Sequence, residues 1–127
     1  MTAIIAVPGV LRDEGGAPVQ SMLQLVLAML PNVRVVLSSP EETDRTWCER
    51  EQLLKYGAMF EQGELLDVLS GERVNNYVDI VFTPDTDDAR SCAQQGVSVA
   101  LVAASNVVNP KWRPSRKGWG EIVEEYA

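Results

Sequence analysis

Pro84-Asp85-Thr86-Asp87-Asp88 puts three carboxylates within four positions. Oxygen ligands at that density are what Mg²⁺ takes from protein, so Asp85, Asp87 and Asp88 could collect it loosely. A helix start selects the same pattern, because Asp caps the first free amides and acids in the first turn complement the macrodipole. The capping role needs no ligand and is the simpler expectation. Ser38-Ser39-Pro40, followed by Glu41, Glu42 and Asp44, carries the same double meaning. It reads as a helix cap, or as a hydroxyl at a helix N-terminus that meets an anion. Asp13 and Glu14 are further carboxylates, but they sit in a Gly15-Gly16 loop expected to be flexible. Catalysis needs groups held to about half an ångström, so neither is expected to act as a nucleophile.

One stretch is both basic and aromatic, Asn109-Pro110-Lys111-Trp112-Arg113-Pro114-Ser115-Arg116-Lys117-Gly118-Trp119, with four of the 11 Lys and Arg and two of the three Trp. Arg and Lys pair with phosphate and Trp stacks on bases. The same residue types anchor protein interfaces, or cover apolar surface of their own sheet. Among functional uses, protein contact through Trp112, Arg113 and Trp119 is placed first.

Composition narrows the chemistry further. The chain has no histidine, which removes Ser-His-Asp and Cys-His catalysis and most zinc sites. A net charge of −7 opposes non-specific nucleic-acid binding and attachment to anionic membrane. Cys48 and Cys92 fall in helical patterns and are expected to be buried thiols. Met22, Met29 and Met59 are expected as core filler. No stretch looks like a signal peptide or a bilayer span, so a cytoplasmic protein is expected.

These residues need a frame. A continuous apolar run at 3–7, and apolar-rich runs at 33–37, 78–82 and 97–103 broken only by Arg34, Asp79 and Ser98, predict buried strands. Helices are predicted over 21–30, from Ser38-Ser39-Pro40 to about Tyr56, and over 85–95, with Gly57 and Gly96 as stops. Residues 59–66 suit a short strand or irregular chain and then a turn of helix, and 119–126 suits a short terminal helix. The alternation predicts one α/β domain over 1–127, a three-layer α/β/α sandwich on a mostly parallel sheet, with 106–127 as a tail packed on it.

In this order the motifs resemble the haloacid-dehalogenase (HAD) superfamily, in its small, capless form found in phages and actinobacteria. Ala6-Val7-Pro8-Gly9-Val10-Leu11 falls in register with the family's first motif, Asp-x-Asp-Gly-Thr/Val-Leu. Val35-Val36-Leu37-Ser38 fits the second, and Val81-Phe82-Thr83-Pro84-Asp85 through Asp88, then Ala93 to Gly96, fits the fourth. Arg73 stands near the place of the family's lysine.

The resemblance implies a Rossmann-like fold without a cap domain. It also implies a lost reaction, since the nucleophile and acid/base positions are Ala6 and Pro8. What it leaves is Ser38 and Arg73 as ligand-binding residues and Asp85 and Asp88 as metal ligands. The leading expectation is a pseudoenzyme without cofactor that contacts a protein partner or a second copy of itself. The alternatives are a divergent Mg²⁺-dependent phosphatase or nucleotidase, and a module that binds a phospholigand without turnover.

Overall fold

The computed structural model describes residues 1–102. Five strands and four helices alternate: β1 (Thr2–Ala6), α1 (Gln20–Met29), β2 (Arg34–Ser39), α2 (Thr43–Arg50), β3 (Met59–Gln62), α3 (Leu65–Asn75), β4 (Ile80–Thr83), α4 (Thr86–Gln94) and β5 (Ser98–Leu101). The strands form one sheet in the order β3-β2-β1-β4-β5, and every pairing is parallel. This is a Rossmann-like arrangement. Its centre is apolar on both faces: Ile4, Ile5, Val35, Val36 and Leu37 have no exposed surface. That burial is why these strands read as unbroken apolar runs.

Register fixes which residues share a face. Leu37 pairs with Phe60, Ile5 with Leu37, Ile5 with Phe82, and Phe82 with Ala100. These four pairings string one row across the sheet. Arg45 of α2 lies over the Phe60 ring, 4.9 Å from its centroid, so the row faces α2. The right-handed crossover rule puts α1 on that side with α2, and α3 with α4 on the other. α3 and α4 indeed touch.

Two helices differ in length from the sequence expectation. Residues 59–66 take the strand alternative, as edge strand β3, and the turn of helix after it is the start of α3, a helix of 11 residues. Leu65, Val68 and Leu69 form its buried stripe. Only three core residues mark the helix, and Gly71 interrupts its pattern, so its period is faint in the sequence. α2 is shorter than predicted and ends at Arg50. Gln52 N–H donates to Glu49 O at 2.9 Å and Leu53 N–H to Cys48 O at 3.1 Å. With Gln52 at φ 64°, this is a Schellman stop, with a glutamine where glycine usually sits.

Candidate functional site at the carboxyl edge of the sheet

In open α/β sheets, ligands bind beyond the carboxyl ends of the strands. Here that edge gathers the loops after β1, β2 and β4. Ala6 pairs directly with Ser38, and Val7 N–H extends the ladder by donating to Ser38 O at 2.8 Å. The chain then makes a tight turn, in which Leu11 and Arg12 N–H both donate to Val7 O, at 3.0 and 3.2 Å. Gly9 has φ +85°, and a Cβ there would lie 2.8 Å from Pro84 Cγ. The β1 and β4 loops therefore meet at van der Waals contact. Pro8 and Gly9 shape this junction with backbone and offer no side-chain chemistry.

The loop expected to be flexible is a locked hairpin. Asp13 N–H donates to Ala17 O at 2.9 Å and Val19 N–H to Leu11 O at 2.8 Å. Asp13 is occupied with the turn, its Oδ1 accepting from Ala17 N–H at 2.8 Å. Arg12 anchors the hairpin to α2. Its Nε and Nη2 reach the two Asp44 oxygens at 2.5 and 2.9 Å, and Nη2 also reaches Glu41 at 2.6 Å. Ser39 Oγ completes the cluster, donating to Asp44 Oδ2 at 2.5 Å and accepting from Glu41 N–H at 3.0 Å. The guanidinium is held above its ordinary pKa by its hydrogen bond to Asp44, against the opposing effect of burial. Trp47 Nε1 donates to Gly16 O at 2.9 Å and pins the hairpin tip. An open cleft of about 510 Å³ lies beside this tip, lined in part by Glu14, Thr43, Thr46 and Arg50.

Arg12 and Asp44 are thus the principal polar pair of the region, and sequence reasoning missed both as partners. They are 32 positions apart, and neither lies in a motif that names the other. The early acid at Asp44 was legible as part of a helix start, but its buried ion pair was not.

Of the residues expected to bind ligand, Ser38 is at the edge but almost fully buried, with 1% exposure. Its hydroxyl donates to Gly63 O at 3.4 Å. Arg73 is not brought to it. α3 starts at the carboxyl edge and returns across the sheet, about 16 Å for its length. Arg73, in its last turn, donates to Gln95 at 3.1 Å. There it borders a hollow with Val78 and Val97, the residues leading into β4 and β5. It belongs to the amino edge, because the helix that carries it runs antiparallel to the strands.

The acidic motif is a helix cap. Asp85 is the N-cap of α4, and its Oδ1 accepts from Asp87 N–H at 2.7 Å and from Asp88 N–H at 3.1 Å. Asp87 is exposed and stands 3.7 Å from Arg90. Burial, and then the charges of Asp85, Glu64 and Asp87, push the Asp88 carboxyl above its ordinary range. Among the described residues no three His, Cys, Asp or Glu side chains gather where they would hold a metal ion.

Cys48 and Cys92 are free and buried. Desolvation pushes the Cys48 thiol up to about 12, which leaves it without useful thiolate near neutrality. Trp112, Arg113 and Trp119 lie outside the described residues, as does the tail over 106–127. Among the described residues no helix is long and apolar enough to cross a membrane. No family model matches the chain, and neither curated proteins nor solved structures give a significant match.

Proposed function

We propose that the chain is a HAD-like domain that has given up phosphoryl chemistry and acts by contact with a protein. One observation supports this reading. The β1 and β4 loops meet at the carboxyl edge beside Ser38, and in the HAD-like register Ala6 and Pro8 take the positions where that chemistry needs carboxylates. Losing a covalent nucleophile costs on the order of 10⁶ in rate in a well-studied hydrolase. Of the acids after β4, Asp85 has one oxygen committed to two backbone amides. Mg²⁺ demands near-ideal octahedral geometry, and a carboxylate already capping a helix is a poor start on it. The contact is assigned to Trp112 and Arg113, with Trp119, on the residue chemistry of that basic, aromatic stretch.

Thermal melting with Mg²⁺ and tetrafluoroberyllate tests the loss of chemistry. A ligand present at one hundred times its Kd adds about 2.7 kcal/mol, several degrees for a chain of this size. No shift is expected. A Mg²⁺-dependent shift would overturn the non-catalytic reading. For the contact, sedimentation velocity of the full chain should show a mass above 14.0 kDa that returns to it in Trp112→Ala/Arg113→Ala. A monomer in both proteins would exclude self-association as the contact.

A further inference from the structure

The sheet is five strands wide, but on the α2 side its helices cover only part of it. α1 links β1 to β2 and α2 links β2 to β3. On this side the described helices therefore lie over the β1-β2-β3 half. β4 and β5 have α4 against their other face.

Burial alternates accordingly along β4. Val81 and Thr83, facing α4, have no exposed surface. Ile80 and Phe82, facing the α2 side, are only partly buried. In β5, their register partners Ser98 and Ala100 are exposed and half-buried. Among the described residues, the area these helices leave open is formed by Ile80, Phe82 and Ala100 with Ser98, none of them charged. On the same side α1, which has no charged residue, leaves Leu25 and Leu27 40% and 38% exposed. An apolar sheet face of this kind needs a cover.

The chain contains a segment with the matching pattern. Trp119, Ile122, Val123 and Tyr126 recur at i, i+3, i+4 and i+7, which is one face of a helix. Glu121, Glu124 and Glu125 fall between them. The described residues end at Val102, beside the bare strand, whose N–H donates to Thr83 O at 2.8 Å. Residues 103–118 then separate that point from Trp119. Sixteen residues span up to about 50 Å, while neighbouring strands are only about 4.8 Å apart. Reach therefore imposes no obstacle.

We propose that the α2-side face of β4 and β5 is the docking surface for segment 119–126 of the same chain, seated on Ile80, Phe82 and Ala100. This moves Trp119 from the partner contact to an intrachain anchor and leaves Trp112 and Arg113 for the partner. The docking does not depend on whether a partner exists.

The test is solution NMR of the full chain. Nuclear Overhauser contacts are expected from the Trp119 ring and the Ile122 and Val123 methyls to the side chains of Ile80, Phe82 and Ala100. In Ile122→Asn, which leaves the described core untouched, those contacts should vanish and the resonances of Ile80, Phe82 and Ala100 should move. Absent contacts, or resonances unmoved by the substitution, would overturn the proposal. So would contacts seen only between differently labelled chains in a mixed sample, which would assign the face to a second copy.

Discussion

Gly9 and Gly16 share a backbone angle, φ +85°, but not a neighbourhood. A Cβ at Gly9 would come within 2.8 Å of Pro84 Cγ and 3.0 Å of Pro84 Cβ, whereas one at Gly16 would meet nothing within 4 Å. Gly16→Ala therefore measures the cost of a left-handed alanine alone, about 1 kcal/mol. Gly9→Ala carries the same cost plus overpacking against a proline ring that cannot rotate away, roughly 1–3 kcal/mol more. The expected total is about 2–4 kcal/mol. With a urea m-value of about 2 kcal/mol/M, the midpoint should fall by about 1–2 M, against about 0.5 M for Gly16→Ala. Adding Pro84→Ala removes the ring's Cγ. The double variant Gly9→Ala/Pro84→Ala should then be more stable than the sum of the singles predicts, by most of the steric cost. If Gly9→Ala matches Gly16→Ala, or if the double variant is simply additive, the β1 and β4 loops do not abut there. The convergence of loops that defines the candidate site would fall with that result.

Three further outcomes are expected. Asp44→Asn should cost about 3 kcal/mol, because it leaves Arg12, 11% exposed, facing a neutral amide where it had a buried carboxylate; a loss under about 1 kcal/mol in urea melts would show that the cluster does not hold the hairpin. Gln52→Gly should stabilise by about 1 kcal/mol by removing the left-handed glutamine at φ 64°, and a lower melting temperature would refute the Schellman assignment. Asp88 keeps its proton to higher pH in the folded state than in the unfolded chain, so its ionisation weakens the fold as pH rises through the carboxylate range. Asp88→Asn should therefore melt above the parent at pH 7, with the advantage fading as pH falls through the carboxylate range and gone below about 3.9; an advantage independent of pH would rule out the charge as its source.

The centre of the sheet is legible in the sequence because burial on both faces marks every residue of it. Apolar runs as short as those of β1 and β2, each followed by a turn or a helix start, suit parallel strands covered on both sides. The cap at Asp85 follows from local hydrogen bonding within three residues. What stays hidden depends on partners distant in the chain. Gly9 and Pro84 are 75 positions apart, and Arg12 and Asp44 are 32. α3 escapes the sequence pattern because three buried residues are a thin stripe. In the hairpin after β1, Gly15-Gly16 suggests mobility locally, while Trp47 and Asp44, the latter through Arg12, remove it from a distance. The motif position of Arg73 points to the carboxyl edge, and only the direction of α3 shows that it lies at the other one.

In the HAD-like reading proposed above, an active member would carry two acids at positions 6 and 8, one of them beside the buried Ser38. Ala6 is itself 8% exposed, so a charge there would need a cation or several donors to offset its desolvation. Here Ser38 is turned to a carbonyl, and Arg12 is already held by Asp44 and Glu41. That guanidinium is thus committed to fixing the hairpin and not to a bound anion. Alanine and proline suit such a neighbourhood, since neither brings a charge that must be neutralised. Introducing a carboxylate at Ala6 alone would therefore lower stability without making a site, because the groups that would neutralise it are engaged elsewhere.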